Sequence, residues 1–492
     1  MKKAYKIIPY FLLAILLYFP IFGHLDTLVL RQYDESRLAI NAFEMFKDGN
    51  FLVTHFEGNP DMWNTKPPMM IWLQVFFINL IGLGELALRL PSAFAAFFTC
   101  LALLIFSKKY VNFWFGFIAV LVMITSAGYI SIHGTRTADY DALLTLFTTL
   151  FTLFIFVFFE CKKSIYIYLI FLFCACSILT KGIAGLLFAP GILIYIVLQK
   201  QLVPLLKNKH FYFGLFSFLT IVLGYYLIRE YNNNGYLQGI QANELGGRYL
   251  EINEGHKEEF LYYFSNLINY RFESWHLFIP CGLIIGFTSK QPNVRKITIF
   301  SSIMIITYFL IISFAQSKLE HYDLPLYPYL SIIVAVFIHH IFQLLEQSTI
   351  FKQFVSQNAA HFIFLFLLTV IPYEKIIEKT YKPKESSPEF YEISYFLKDA
   401  VKGKYNLENN YLLYDGYNSH NLFYVKLLNE KGINFNYKDW RKLSVGDVVI
   451  TQQFHLKEYV KKSYNNKLLQ KSGDVELYQI LGLKNKDLAM PK

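Results

Sequence analysis

YDESRLAINAFEMFKDGNFLVTHFEGNPDMWNTKPPMMIW, residues 33–72, is the stretch on which the reading of the whole chain turns. It follows a single apolar N-terminal run, opens with Asp34-Glu35, carries Arg37 and ends with Lys66 before Pro67-Pro68. Hydrophobic runs lie on both sides, so these charges fall at the lip of a membrane. Ionisable groups held at a bilayer boundary are costly enough to mark a site. The acidic pair also suits the first turn of a helix over 35–47, where carboxylates are favoured. The two prolines suit a second helix start, since the first turn donates no intrahelical bond.

Composition supports a membrane protein. Of the 492 residues, 54% are hydrophobic and 17% charged, with 49 Phe and 36 Tyr. Apolar runs of about 16–22 residues recur, the mark of a polytopic helical bundle. The expected spans are 7–23, 86–107, 112–132, 142–159, 164–180, 183–199, 211–228, 272–287, 297–315, 323–342 and 359–372. The N-terminal run lacks a small-residue cleavage site and reads as a retained first span. With Lys2, Lys3 and Lys6 cytoplasmic, the basic clusters at 108–109, 162–163, 200–209, 290–296 and 352 all fall on the same side. That agreement requires 67–83 to be an interfacial helix within a long first external loop, because counting it as a span would reverse every later cluster.

The fold class that follows is an all-α polytopic membrane protein with interfacial helices in the first external loop and a small C-terminal α/β soluble domain. The expected organisation is a membrane domain over 1–372 with its external loop at 24–85, a linker over 373–387 and an extracytoplasmic domain over 388–492. In that last part, helices are expected at 388–401, 419–430 and 455–463, and strands at 411–415, 447–451 and 475–480. The expected location is a bacterial inner membrane, multi-pass, with a cytoplasmic N-terminus and a periplasmic C-terminal domain. A net charge of +10 is spread between apolar runs, which fits contact with membrane lipids and excludes a nucleic-acid partner. The five cysteines sit in or beside apolar runs and imply no disulfide framework.

With this topology the external segments hold most of the unusual polar residues. The first carries Asp34, Glu35, Arg37, His55 and Lys66; the next, HGTRTADYDA, carries His133, Arg136, Asp139 and Asp141. Lys181 lies in LTKGIAG, Glu244, Arg248 and His256 in the segment 229–271, and Lys318, Glu320, His321 and Tyr322 in AQSKLEHYDLP. Each has a plainer role: helix capping for the acids, snorkelling for the lysines. External lysines nonetheless run against the positive-inside bias, which singles out Lys66, Lys181 and Lys318. The histidines share no metal-ligand spacing, so no metal site is assigned; a divalent metal is compatible but not indicated. No nucleotide-binding or hydrolase motif is present. A reaction outside the cell needs a pre-activated substrate, and a site in the membrane suggests a lipid. A polyprenyl-phosphate sugar meets both conditions: its phosphate leaves as an anion and needs only cations, while an acceptor hydroxyl needs a nearby carboxylate.

The blocks DESRLA, GNFLVTHFEG, KPPMMIWLQ, LALRLPSAF, RTADYDALLTLF, ILTKGIAGLLFAPGILIY, NELGGRYL, GHKEEFLYYF and SKLEHYDLPLYPYLSI resemble, in this order, the membrane glycosyltransferases of the ArnT-like and protein O-mannosyltransferase superfamily. They cover about residues 30–335. The resemblance implies the GT-C fold, a polyprenyl-phosphate sugar donor and inversion at the anomeric carbon. By motif position it implies a catalytic role for Asp34, with Glu35 and Asp141, and donor-phosphate binding by Lys66, Arg37, Arg248 and Lys318. It places His256, Tyr322 and Asp139 in the substrate cavity, where His55 is also a candidate. Two positions depart from the ArnT-like pattern: Leu38 stands where a tyrosine is common, and Thr65 where a glutamate is common. The function expected is transfer of one hexose or pentose to a lipid A, protein or other surface-glycan acceptor. The alternatives are a lipid or solute transporter, which should show inverted repeats, and a wall-polymer ligase or polymerase, which would use a lipid-linked oligosaccharide.

Overall fold

A computed structural model describes residues 4–244, 258–347, 357–382 and 387–484. The helices that build the membrane part are α1 (Ala4–Phe22), α2 (Asp34–Asp48), α3 (Met69–Ile81), α4 (Glu85–Tyr110), α5 (Phe113–Ile124), α6 (Asp141–Cys161), α7 (Ile165–Lys181), α8 (Ala189–Leu198), α9 (Lys209–Asn232), α10 (Phe278–Thr288), α11 (Pro292–Phe314), α12 (Tyr327–Gln347) and α13 (Gln357–Tyr381). Among the described residues six segments are long and apolar enough to cross a membrane: α4, α6, α9, α11, α7 extended to Leu186, and α12 with the turn from Glu320. Shorter apolar helices, α3, α5, α8, α10 and the Ile7–Phe22 part of α1, fill in around them.

Two membrane segments differ from expectation. The run 112–132 forms a helix only to Ile124, because the Thr125 and Ser126 hydroxyls turn back to the carbonyls of Leu121 and Val122, both at 2.6 Å. Gly128 follows against Tyr327, whose hydroxyl would lie 1.8 Å from any Cβ there, so the loop is seated where only glycine fits. At the other end of the membrane part, α13 passes through Pro372 and reaches Tyr381, so helix occupies much of 373–387.

The helix α2 forms where the sequence places it. Leu38, Ala42 and Met45 recur at helical spacing and are buried, Asp34 and Glu35 occupy the first turn and Lys47 the last. Gly49, at φ 68°, closes the helix by donating its N–H to Met45. Burial of each large apolar side chain on this face is worth about 1.5–3 kcal/mol. It packs with Met70 and Ile71 of α3, Ala87 and Leu88 of α4 and Leu143 of α6 in one apolar cluster.

That cluster also includes Ile393, Leu397, Leu422 and Phe423 of the C-terminal part. Here α14 (Pro388–Val401), α15 (Ser419–Glu430) and α16 (Phe454–Ser463) accompany a five-stranded sheet. Its strands are β3 (Asn410–Leu412), β4 (Phe435–Tyr437), β5 (Val448–Thr451), β6 (Tyr464–Ser472) and β7 (Val475–Leu483); β1 (His55–Phe56) and β2 (Asn59–Pro60) form a separate hairpin in the loop after α2. The sheet order is β4-β3-β5-β7-β6, with β3 parallel to both neighbours and β7 antiparallel to both of its own. Polar ties fix this unit to the bundle. The Tyr424 hydroxyl accepts from the Leu30 N–H at 3.2 Å and donates to Glu85 at 2.8 Å. Lys398 pairs with Glu85 at 3.0 Å, Lys426 with Glu44 at 3.1 Å, and Lys47 with Glu430.

The start of α2 is held by a buried ion pair. Arg89 donates from Nε and Nη2 to Glu35 at 2.7 and 3.0 Å, and to the carbonyls of Leu25, Leu28 and Val29. The same Glu35 accepts the N–H groups of Arg31 and Ala138 at 2.8 and 2.9 Å. Removing one partner strands a buried charge. Glu35→Ala is therefore expected to destabilise the protein by about 3–5 kcal/mol, read as a lowered melting temperature in detergent while α3, α4 and α6 still insert. A melting temperature unchanged from the parent would contradict this role.

Candidate active site

One end of the bundle collects the charged residues around the start of α2, the loop before α6 and the turn before α12. In the loop before α6, His133 Nδ1 and Asp139 Oδ2 lie 2.7 Å apart, and Asp139 Oδ1 accepts the Tyr140 N–H at 2.8 Å. The ligand atoms of Asp34, His133 and Asp139 all fall within 4.8 Å of one another. The His133 ring stacks on His321, with centroids 4.8 Å apart, and His321 Nε2 lies 3.8 Å from Asp141. Asp141, at the first turn of α6, accepts two hydrogen bonds from Lys181 at the end of α7, at 2.6 and 2.8 Å. The Lys181 ammonium also lies 5.0 Å from the Tyr322 ring centroid.

The second half of the site hangs on Asp61, which the sequence did not single out. Asp61 accepts a two-pronged bond from Arg37 at 2.8 and 2.6 Å, a bond from Asn41 at 3.0 Å, and the N–H groups of Trp63 and Asn64. Asn64 then bonds Asn41 and the Tyr140 hydroxyl. This relay folds the loop 49–68 back onto α2 and sets Lys66 over the Tyr140 ring, 5.2 Å from its centroid. Lys66 Nζ also lies 3.8 Å from Glu244. Asp141, Lys181, Glu244 and Tyr322 line one cavity with Leu144 and Leu187, so the Lys181–Asp141 pair shares a space with the carboxylate that lies beside Lys66. Tyr140 feels the charges of Asp139, Asp34 and Asp61, which puts the two ends of residues 33–72 at one tyrosine.

Several expectations are corrected by this geometry. Glu35 is fully enclosed, and both oxygens are used by Arg89 and two backbone N–H groups, so it is a structural anchor and not a catalytic acid. Arg37 is paired with Asp61 through two hydrogen bonds, so its guanidinium already has a carboxylate partner in the fold. Lys318 donates to the Glu258 carbonyl at 2.9 Å, a tie between loops. His55 lies in the hairpin β1–β2, where its backbone carbonyl accepts from Asn41, and among the described residues its ring has no contact with the acidic cluster. Arg248 and His256 lie outside the described residues. Asp34, Asp139, Asp141, Lys66 and Tyr322 do converge, joined by His133, His321, Lys181 and Glu244. The clue to His133 lay in HGTRTADYDA, where a histidine and two acids fall within nine residues.

Among the described residues no ion pair or side-chain hydrogen bond reaches the Asp34 carboxylate. Its backbone neighbour Tyr33 is unusual, a non-glycine residue at φ 70° and ψ −114°. Such a conformation costs about 1–3 kcal/mol and persists only where surroundings impose it. Two larger spaces flank the site. An apolar one of about 260 Å³ lies between α6, α7 and α8, lined by residues such as Phe151, Ile155, Cys174 and Ile192. A cationic one of about 700 Å³ lies beside the end of α13, lined by Arg31, Arg136, Lys375, Lys379 and Lys382 among others. Burial beside Arg89 pushes Arg136 down to about 10, and its bonds go to the backbone carbonyls of Pro20, Ile21 and His24.

Electrostatics at the cluster depend on one proton. Burial opposes the charged form of His133, but the hydrogen bond and charge of Asp139, with Asp34 and Asp141 behind it, push it up to about 9. A protonated imidazole cannot ligate a metal, so Asp34, His133 and Asp139 would hold a cation only by losing that proton. Because the folded pKa is raised, the stabilisation from His133 is complete below its unfolded value near 6.5 and is lost as pH rises through about 9. In chelator-treated protein, the stability difference between parent and His133→Gln should therefore be constant below pH 6 and shrink towards zero above about 9. A difference that stays flat across that window would contradict the pairing, and one that shrinks at lower pH on adding Mn²⁺ would reveal a metal.

Known proteins resemble this chain in sequence and in fold. Residues 65–226 match the family model described as dolichyl-phosphate-mannose-protein mannosyltransferase. Over 308 residues the chain is 25% identical to a protein of Aquifex aeolicus (strain VF5) described as uncharacterized, covering 62% of this chain and 59% of that one. It is 30% identical over 179 residues to the undecaprenyl phosphate-alpha-4-amino-4-deoxy-L-arabinose arabinosyl transferase of Shewanella sediminis (strain HAW-EB3), across 35% of this chain and 32% of the other. Its fold is similar to the crystal structure of ArnT from Cupriavidus metallidurans bound to undecaprenyl phosphate, with a TM-score of 0.71, 13% identity and 100% of both chains covered.

Proposed function

We infer that the chain, a membrane-embedded GT-C glycosyltransferase of the ArnT and protein O-mannosyltransferase kind, is an inverting enzyme that moves one monosaccharide from a polyprenyl phosphate to an acceptor on the non-cytoplasmic face. The observation that carries this reading is the link between the Asp34 cluster and the Lys181 cavity: His133 stacks on His321, which lies 3.8 Å from Asp141 in the cavity wall, while an apolar space lies further along α6 and α7. A prenyl chain suits the apolar space. Its phosphate would then lie at Lys181, which faces the cavity beside Asp141, with Lys66 close by next to the cavity residue Glu244.

In the reaction, the acceptor hydroxyl oxygen attacks the anomeric carbon from the face opposite the phosphate. The bond between that carbon and the phosphate oxygen breaks, and the electron pair leaves with the phosphate. Asp34 takes the hydroxyl proton, a role worth about 10²–10⁴-fold in rate. Lys66 and Lys181 steady the charge that grows on the leaving oxygen. His133 and Asp139 bracket Asp34, and Asp141 holds Lys181 in place. The cationic space beside α13 favours an anionic acceptor, such as a phosphorylated or acidic surface glycan, over a neutral one. If the attacking group is itself a phosphate oxygen, no base is needed, and Asp34 serves to orient the acceptor.

The test is transfer by the purified full chain in detergent, with undecaprenyl-phosphate monosaccharides supplied singly and no gradient present. The parent should release undecaprenyl phosphate in step with glycosylated acceptor, identified by mass spectrometry of lipid A and surface glycoproteins from deletion and parent strains. Asp34→Asn should fold normally and lose about 10²–10⁴-fold in kcat. Lys66→Met should raise the KM for donor roughly 10- to 100-fold, the loss of one charged hydrogen bond. Full activity in Asp34→Asn with a hydroxyl acceptor would overturn the base assignment, and no transfer from any single-sugar donor would overturn the reading itself.

A further inference from the structure

Among the contacts between the C-terminal unit and α2, one side chain reaches the residue next to Asp34. Tyr417, in the loop between β3 and α15, stacks parallel on Tyr33, with centroids 5.4 Å apart and planes 7° from parallel. Its hydroxyl lies in the neighbourhood of Ser419, Arg37 and Ser36, and its carbonyl accepts from the Gln32 side chain at 3.1 Å. Ser419 Oγ in turn lies 2.5 Å from Ser36 Oγ. One tyrosine from the soluble part thus touches residues 32 and 33 and lies near 36 and 37, which bracket Asp34 on both sides.

The position it grips is the one that would otherwise relax. Tyr33 has the positive φ that favours glycine, yet its ring is 63% exposed, so burial of the ring does not hold the backbone there. The Tyr33 carbonyl must accept both the Arg37 N–H at 2.9 Å and the Ser36 hydroxyl at 3.1 Å for the first turn of α2 to form. The Arg89–Glu35 pair holds the core-facing side of this first turn, and Tyr417 meets its opposite side at Tyr33.

We propose that Tyr417 is a positioning residue for the transfer reaction: stacked on Tyr33 and tied through its carbonyl to Gln32, it holds the strained backbone that aims Asp34 at the acceptor. The C-terminal unit on this view completes the active site and is not an independent binding module. The inference rests on the role given to Asp34 above, but its structural half is measurable without any sugar donor.

The experiment compares the full chain with Tyr417→Ala, Tyr417→Phe, Tyr33→Gly and the double variant Tyr33→Gly/Tyr417→Ala. Hydrogen exchange in detergent should speed up in residues 31–38 of Tyr417→Ala, while the second half of α2 and helix α4 stay protected. Tyr417→Phe keeps the stack and should fall between parent and Tyr417→Ala. With the undecaprenyl-phosphate monosaccharide that supports transfer, Tyr417→Ala should lose on the order of 10- to 100-fold in kcat with the KM for donor unchanged. Glycine adopts the Tyr33 conformation without strain, so the double variant should regain most of the protection and the rate that Tyr417→Ala alone loses. Three results would overturn the proposal: unchanged exchange in 31–38, a loss that Tyr33→Gly does not repair, or a rise in donor KM in place of a fall in kcat. Should Tyr417→Ala fold poorly, Tyr417→Phe and Tyr33→Gly carry the same comparison. Changed exchange in a chain that transfers no sugar would leave the positioning of α2 standing and remove only its catalytic purpose.

Discussion

Arg89 and Glu35 form a contact that four separate pieces of chain cannot do without. The guanidinium collects the carbonyls of Leu25, Leu28 and Val29 at the exit of α1, while the carboxylate collects the N–H of Arg31 and that of Ala138 before α6. A buried pair of this kind is tolerable only because nearly every donor and acceptor on it is used. In meeting that demand it fixes where α1 ends, where α2 begins and how the loop before α6 passes. Against its burial, the charge and hydrogen bonds of Arg89 hold the Glu35 carboxyl below the usual carboxylate range, so the pair stays ionised at neutral pH. Asp34 is the preceding residue, and one step along a helix turns the side chain by about 100°. Sending Glu35 into the core therefore turns Asp34 out of it, towards His133 and Asp139.

A second consequence concerns which charges are left for chemistry. Arg37 is balanced by Asp61, Lys181 by Asp141, and Arg271 by Asp323, each at 2.8 Å or less. These pairs satisfy the loops that carry them and hold the site in shape before any substrate arrives. Asp34 is set apart, since among the described residues no side-chain hydrogen bond or close ion pair takes up its carboxylate, and its near neighbours are His133 and Asp139. A carboxylate in that position keeps its oxygens open to an incoming group. A carboxylate such as Asp61, which already accepts five hydrogen bonds, does not.

How much of this could be read beforehand follows from which signals are local. The membrane helices and α2 were legible because their periodicity or length lies within a single segment. In the C-terminal sheet, β3, β5 and β7 were expected, but β4 and β6 were not. Those two are the edges of the sheet, and YNNKLLQKS carries the polar, weakly alternating pattern that suits an edge strand and hides it. The site was legible in its residue types and not in its partnerships. Nothing local marks Asp61 as the partner of a residue 24 positions earlier, or Lys181 as the partner of one 40 positions earlier. The partners of Glu35 and Arg37 were hidden for that reason: a charge is visible in sequence, whereas its neutralisation is a property of the fold.

The pairing of the cavity lysines bears on how a phosphate lipid could both bind and leave. A lone lysine facing an apolar space would be costly while the site is empty and would hold a phosphate tightly once it is filled. Here Lys181 rests on Asp141 and Lys66 lies near Glu244, so the empty state keeps its charges compensated. An incoming phosphate must compete with those carboxylates, which lowers its affinity for the ground state. The competition is least damaging when the leaving oxygen carries its fullest charge, late in cleavage of the sugar–phosphate bond, which is when stabilisation raises the rate. On the proposed reaction the lysines would return to their carboxylates as the lipid departs. Paired cations, set by Tyr140 on one side and Tyr322 on the other, would thus reconcile a phosphate site with turnover.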